Sequence, residues 1–275
     1  MLGDLFEYGP LCSQTLEGFD TPVHVWRVLG ERPGQSRFAV RRRGATLAPL
    51  IGREEEIELL TRRWERAKTG SGQVVVMAGE PGIGKSRLIE ALREALGGER
   101  YLHLGYYCSP HHQESALYPL IQQLEHAAGY SRDDPPAAKL DKLEALLVPG
   151  ARDPSAEVPL IADLLSIPTE NRYPPLDLAP HRRREKTLEA LDAQLIGLTK
   201  RQPVLMVFED VHWAEETFLE LVDHLEEATS EAPVLALCTA RPELREEHPD
   251  WVTDDHIELQ PLTPADASQI GRAHV

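Results

Sequence analysis

At 275 residues, with 41% hydrophobic and 27% charged side chains, the chain holds enough apolar material for a sizeable core and carries no compositional mark of disorder. Its formal net charge of -16 repels phosphate at long range, which argues against direct nucleic-acid binding and against binding to an anionic membrane. Three widely spaced cysteines, Cys12, Cys108 and Cys238, include no CxxC pair, so a disulfide framework or zinc knuckle is not implied and a reducing compartment fits best.

The opening "MLGDLFEYGP" lacks the basic and apolar segments of a secretion signal, and no later apolar run reaches the roughly 18 residues needed to cross a bilayer. A cytoplasmic location is therefore expected. Residues 1–31 read as short strands joined by Gly/Pro turns, with Val23 and Val25 on one face and His24, Trp26 and Val28 on the other. Residues 32–48, rich in Gly and Arg, read as a linker, and the run Arg41-Arg42-Arg43 reads as solvated charge.

From residue 49 the pattern changes. Ile57, Leu60, Trp64 and Ala67 recur at helical spacing, acidic residues fill the first turn and Gly70 follows the end, which predicts an amphipathic helix. A buried strand (73–78), a glycine-rich loop, a helix ending at Gly97-Gly98 and a second strand (100–108) follow, the order of a βαβ unit. The stretch from Asp134 to Pro180 carries nine prolines among short helical segments and reads as irregular connections packed over a core. Beyond it come a helix (183–199), a strand ("VLMVFED"), a helix (215–228), a strand ("PVLALCTA"), a last strand ("DHIELQ") and the start of a helix at "TPADASQ". This alternation predicts an α/β fold, a parallel sheet with helices on both faces. The last six residues, "IGRAHV", resemble translated adapter sequence, so residues 49–269 are taken as the domain and 270–275 as an artefact.

Gly79-Glu80-Pro81-Gly82-Ile83-Gly84-Lys85-Ser86 satisfies G-x-x-x-x-G-K-[ST] between a strand and a helix. Glycines let successive N–H groups turn around phosphates, and the helix N-terminus adds its positive dipole end. Lys85 is the residue expected at the β- and γ-phosphates and Ser86 at Mg²⁺, with ATP as the nucleotide and Arg87 adjoining the cradle. Hydrolysis needs carboxylates as well, on a strand expected beside that of the loop. Glu209 is placed on the metal side and Asp210 on the attacking water. One strand later, Thr239 and Arg241 are expected at the same sheet edge, where the Arg241 guanidinium would report the γ-phosphate.

With Gly52-Arg53-Glu54, the loop, "PVLMVFEDVHWAEET" and "TARPE" in place, residues 50–269 resemble the AAA-like P-loop ATPase domain of the signal-transducing STAND class, nearest to the ATPases that follow bacterial class III nucleotide cyclase domains. The resemblance implies that Ile51, Gly52 and Arg53 lie on the adenine side, that Arg241 is the sensor arginine, and that a lid subdomain follows Thr263. It also implies two aspartates where this chain has Glu209-Asp210. The segment 1–31, with its Leu16-Glu17-Gly18-Phe19 turn and Pro22-Val23 strand, resembles the closing strands of a cyclase domain. Cyclase activity is not expected of these residues.

The expected function is ATP binding with slow Mg²⁺-dependent hydrolysis as a signalling switch. Its expected partners are an upstream cyclase domain, downstream lid or repeat domains, and copies of itself in a homo-oligomer. A STAND transcription regulator, a small-molecule kinase and a nucleotide-binding scaffold without turnover are the alternatives. Cys108, His111 and His112 lie close in sequence but lack the fourth ligand of a structural zinc site. Arg182 to Arg184 read as a solvated helix start, with an arginine finger as the alternative. Trp213 reads as packing, and His212 as packing or as a residue that positions Asp210 or a phosphate-linked loop.

Overall fold

A computed structural model describes residues 6–9, 12–14, 21–31, 50–113, 115–169, 172–248 and 256–273. The chain divides into two compact units, Met1–Leu47 and Ala48–Val275.

In the first unit, β1 (Phe6–Tyr8) pairs antiparallel with β4 (Val28–Glu31), and β2 (Cys12–Gln14) pairs antiparallel with β3 (Val23–Val25). Val23 and Val25 are half-buried and His24 between them is exposed, the alternation expected of a two-faced strand. Trp26 is 57% exposed. The Leu16–Phe19 turn and the linker with its three arginines lie outside the described residues.

The second unit is an α/β domain on a five-stranded parallel sheet in the order β6-β7-β8-β5-β9. Its strands are β5 (Gln73–Ala78), β6 (Leu102–Tyr107), β7 (Val204–Glu209), β8 (Val234–Ala240) and β9 (His256–Glu258). Every residue of β5 and β8 is buried, because central strands of a parallel sheet are covered on both faces. The strand of the carboxylates, β7, is not beside β5 as expected. β8 pairs with both of them and separates them. Uniform apolar runs report burial on two faces and say nothing of which run is the neighbour.

Helices α1 (Glu54–Lys68) and α2 (Lys85–Ala95) cover one face. There Leu60 and Trp64 of α1 and Leu88 and Leu92 of α2 pack with Val75, Met77, Leu205, Val207, Leu235 and Leu237. The residues between these on the strands, among them Val74, Val76, Met206, Phe208 and Cys238, face the other side. That side is packed by α3 (Tyr118–Ala127), α6 (Pro180–Thr199) and α7 (Glu216–Thr229). Glycines end α1 and α2 as expected: Gly70 and Gly98 have φ of +87° and +97°, the left-handed conformation that closes a helix.

The proline-rich stretch holds the helical segments packed over a core that were expected, with more regular order than irregular connections suggest. It forms two ordered helices, α4 (Pro136–Leu147) and α5 (Pro154–Leu164), which pack with α6 around a separate core of Leu140, Leu143, Leu147, Val158 and Ile161. Prolines sit in the first turn of α3, α4, α5 and α6, where the missing N–H has no helical partner to lose. They mark helix starts, and among the described residues only Pro159 lies beyond the first turn of a helix. A short α8 (Glu243–Glu247) follows β8, and α9 (Pro264–Ala273) runs into the stretch read as adapter-derived, whose side chains lie outside the described residues. Among the described residues no helix is long and apolar enough to cross a membrane.

Candidate functional site

The loop from Gly79 to Ser86 leaves the C-terminal end of β5 and enters α2. Gly82 and Gly84 have φ of +83° and +112°, conformations that L side chains rarely adopt, and the space beside both is open. At Gly79 a Cβ would stand 2.9 Å from the Ile83 side chain, so the loop closes on itself only with glycine there. Glu80, Pro81 and Gly82 are exposed, while Ile83 and Gly84 are half-buried. No side chain caps the N-terminus of α2, leaving its first N–H groups to another acceptor.

Lys85 is buried and folds back on this loop. Its Nζ donates to the carbonyl oxygens of Gly79, at 2.5 Å, and Glu80, at 3.2 Å. Burial pushes the ammonium below its ordinary pKa, Asp210 opposes that shift and Arg241 adds to it. The three charged groups therefore share one electrostatic environment. Ser86, the next residue, donates through Oγ to Oε2 of Glu209 at 3.3 Å. This contact joins residues 123 apart in sequence, and the side chain of Glu209 reaches across although a shorter aspartate was expected there.

Beyond Glu209 the backbone turns sharply. Asp210 has φ +59° and ψ +43°, a left-handed conformation uncommon outside glycine. Its N–H is held by Oγ1 of Thr239 at 2.9 Å. Thr239, expected just after its strand at the C-terminal edge of the sheet, is instead within β8 and 1% exposed, so it braces Asp210 from inside the sheet. The 3-10 turn Val211–Trp213 follows. Its Trp213 ring carries the Arg241 guanidinium 5.2 Å from the ring centroid, a cation–π shelf that positions the arginine after β8. His212 lies 4.9 Å from the same ring, and neither of its nitrogens, both buried, has a hydrogen-bond partner among the described residues.

The segment before α1 reaches the loop through Arg53. This side chain is 7% exposed and donates to the carbonyl oxygens of Gln260, at 2.6 Å, and Ile83, at 3.4 Å, while pairing with Glu56 at 2.8 Å. Its guanidinium is thereby a clamp between α1, the loop and the end of β9. Ile51 and Gly52 are half-buried beside it, with Gly52 at φ +66° packed against Leu262 and Asp266. Arg87 pairs with Glu94 at 3.3 Å along α2.

Other candidates fall elsewhere. Cys108 is buried, and His112 stacks on Tyr118 with centroids 3.7 Å apart. Among the described residues no group of three or more His, Cys, Asp or Glu side chains could hold a metal by themselves. Arg182, Arg183 and Arg184 pair with Glu185, Asp163 and Glu220. Sequence reasoning missed the Thr239 brace and the Trp213 shelf. It also missed Glu215, whose carboxylate accepts from the N–H groups of Leu117 and Thr217 and so joins the starts of α3 and α7.

Open left-handed glycines, an uncapped helix N-terminus, a buried lysine and a facing Ser86–Glu209 pair form a donor set suited to a nucleotide phosphate with Mg²⁺. An uncharacterized protein of Rhizobium meliloti (strain 1021) is 34% identical over 253 residues, and this chain spans only 24% of that relative's length while 91% of the chain is covered. A structure of Drosophila ORC bound to DNA is similar over 94% of this chain and 56% of its own, at 14% identity and a TM-score of 0.44. Residues 49–237 match the model of the AAA ATPase domain, and with more than half of its length so matched, the chain belongs to the AAA ATPase domain family.

Proposed function

We propose that the second unit binds Mg-ATP at the Gly79–Ser86 loop and hydrolyses it slowly, acting as a switch between ATP and ADP states. The observation that carries this reading is the Ser86–Glu209 contact, which brings the metal-side hydroxyl and carboxylate together from separate elements. Mg²⁺, when bound, would neutralise phosphate charge and polarise the bond to be broken. Ser86 and Glu209 would hold it, Glu209 directly or through water. The loop N–H groups and Lys85 would bind and orient the phosphates, with Lys85 exchanging the Gly79 and Glu80 carbonyls for phosphate oxygens. Asp210, fixed by Thr239, would accept a proton from the attacking water, and Arg241 on Trp213 would register the γ-phosphate.

A switch requires differential contacts with ATP and ADP, and these groups supply candidates for them. In this reading Ile51 and Gly52 border the adenine, with Arg53 supporting the loop behind them. The resemblance of residues 1–31 to closing cyclase strands supports an upstream cyclase domain as the partner, with downstream lid or repeat domains of a longer polypeptide completing the switch.

A double-mutant cycle in Mg-ATP binding tests the carrying observation. Ser86→Ala and Glu209→Gln should each weaken binding in the presence of Mg²⁺, and together by less than the sum of their separate effects. Strict additivity, or equal losses with and without Mg²⁺, would remove the metal from between them.

A further inference from the structure

We propose that the imidazole of His212 contacts the terminal phosphate of bound ATP, so that the preference of the site for ATP over ADP depends on this ring. The inference rests on the ATPase reading above and adds to it a residue for which no role in that reading has been given.

A neutral imidazole always presents one N–H and one lone pair. In a folded protein buried groups of this kind are almost always matched. At His212 both are buried and neither is matched among the described residues. Hydrogen bonds hold many of the polar groups nearby: Lys85 on loop carbonyls, Ser86 on Glu209, and the Asp210 N–H on Thr239. His212 is thus an unclaimed donor and acceptor inside the same cluster. An N–H for a phosphate oxygen and a lone pair for an adjacent water are the two functions such a position calls for.

The surroundings favour that role. The ring is set by a short 3-10 turn directly after Glu209 and Asp210, and lies against Trp213. The charged groups that act on it come from four places: Asp210 on its own turn, Lys85 at the start of α2, Arg241 after β8 and Glu243 in α8. Burial holds its pKa below the ordinary histidine value, Asp210 opposes this, and Arg241 and Lys85 add to it. The ring is thereby biased toward its neutral, hydrogen-bonding form beside the cations Lys85 and Arg241. Since the terminal phosphate is the group by which ATP differs from ADP, a donor next to these cations and past the metal-side carboxylate acts on that difference.

The test compares the affinities of Mg-ADP and of a non-hydrolysable Mg-ATP analogue for the parent chain, His212→Ala and His212→Asn by calorimetry. It is joined to ¹⁵N NMR of the His212 ring in the parent, assigned by loss of its signal in His212→Asn. His212→Ala should weaken the analogue about tenfold or more and leave ADP within about twofold, with His212→Asn between them. The ring signals should move with the analogue and stay in place with ADP. Equal losses for both nucleotides, or ring signals indifferent to the analogue, would overturn the inference while leaving nucleotide binding intact. Failure of the parent to bind either nucleotide would overturn this inference and the ATPase reading together. The NMR arm decides the matter in the parent protein even where His212→Ala does not fold.

Discussion

The phosphate loop and the corner formed by the ends of β7 and β8 serve one site by opposite means. The loop is mostly backbone: Gly82 and Gly84 in left-handed conformations, an uncapped helix start, and one buried lysine returned onto loop carbonyls. The corner is side chains: Thr239 holding the N–H of Asp210, Trp213 beneath Arg241, His212 unmatched among the described residues, and Glu209 reaching to Ser86. Backbone N–H groups can donate to any nucleotide phosphate, whereas side chains at fixed angles can distinguish one phosphate state from another. In the proposed function holding and reading are thereby divided between the loop after β5 and the corner at the ends of β7 and β8, with β8 lying between β5 and β7.

The separation breaks most visibly at Asp210. Asp210→Asn should lower the ATP hydrolysis rate by about 10²- to 10⁴-fold, the usual contribution of a positioned proton acceptor, with nucleotide affinity little changed. Steady-state phosphate release beside equilibrium binding checks this. Lys85→Ala should act on the other side, weakening ATP and ADP alike by roughly 100-fold, because a charge-assisted contact to phosphate is lost whichever nucleotide is present. Competition with a fluorescent nucleotide would measure it.

Thr239→Val sharpens the comparison from below the corner. It leaves the Asp210 N–H without its acceptor, and a buried donor so stranded costs about 1–3 kcal/mol in stability. Urea denaturation should show that loss, accompanied by slower hydrolysis and by near-normal ADP affinity. The smallest effect is expected at Trp213→Leu, which removes the aromatic face under Arg241. A partly exposed cation–π contact is worth about 0.5–1 kcal/mol, so the ratio of ATP to ADP affinity should fall by only a few-fold in calorimetry.

The two regions also differed in how far they could be read from sequence. Every residue of the loop stands in one contiguous motif, and local spacing alone places Lys85 and Ser86 at a strand-to-helix junction. Likewise α1 was legible from Leu60, Trp64 and Ala67, all buried as their spacing required. The corner is assembled from 204–213 and 234–241, and its bonds depend on strand order. Apolar runs as uniform as β5, β7 and β8 do not encode that order, so β8 was not expected between the other two. Thr239, seen as a polar residue near a strand end, gave no sign of lying beneath Asp210.

Proline was legible only in part. Counted along 134–180 it signals irregular connections between short helical segments, and Pro136, Pro154 and Pro180 each open a helix whose first N–H is spare. Helix α3 had a usable signal that went unread: Leu117, Leu120 and Leu124 at helical spacing, Pro119 near the start, and Gly129 at φ +66° just past the end.

The central claim is that the loop holds nucleotide and the corner acts on its terminal phosphate. The most direct measurement is to incubate the purified chain with Mg-ATP, remove free nucleotide, and identify what stays bound to the parent, Asp210→Asn and Lys85→Ala. The account predicts ADP on the parent, ATP on Asp210→Asn and nothing on Lys85→Ala. Intact ATP on the parent would contradict the hydrolytic corner, and nucleotide retained by Lys85→Ala would contradict the loop as its holder.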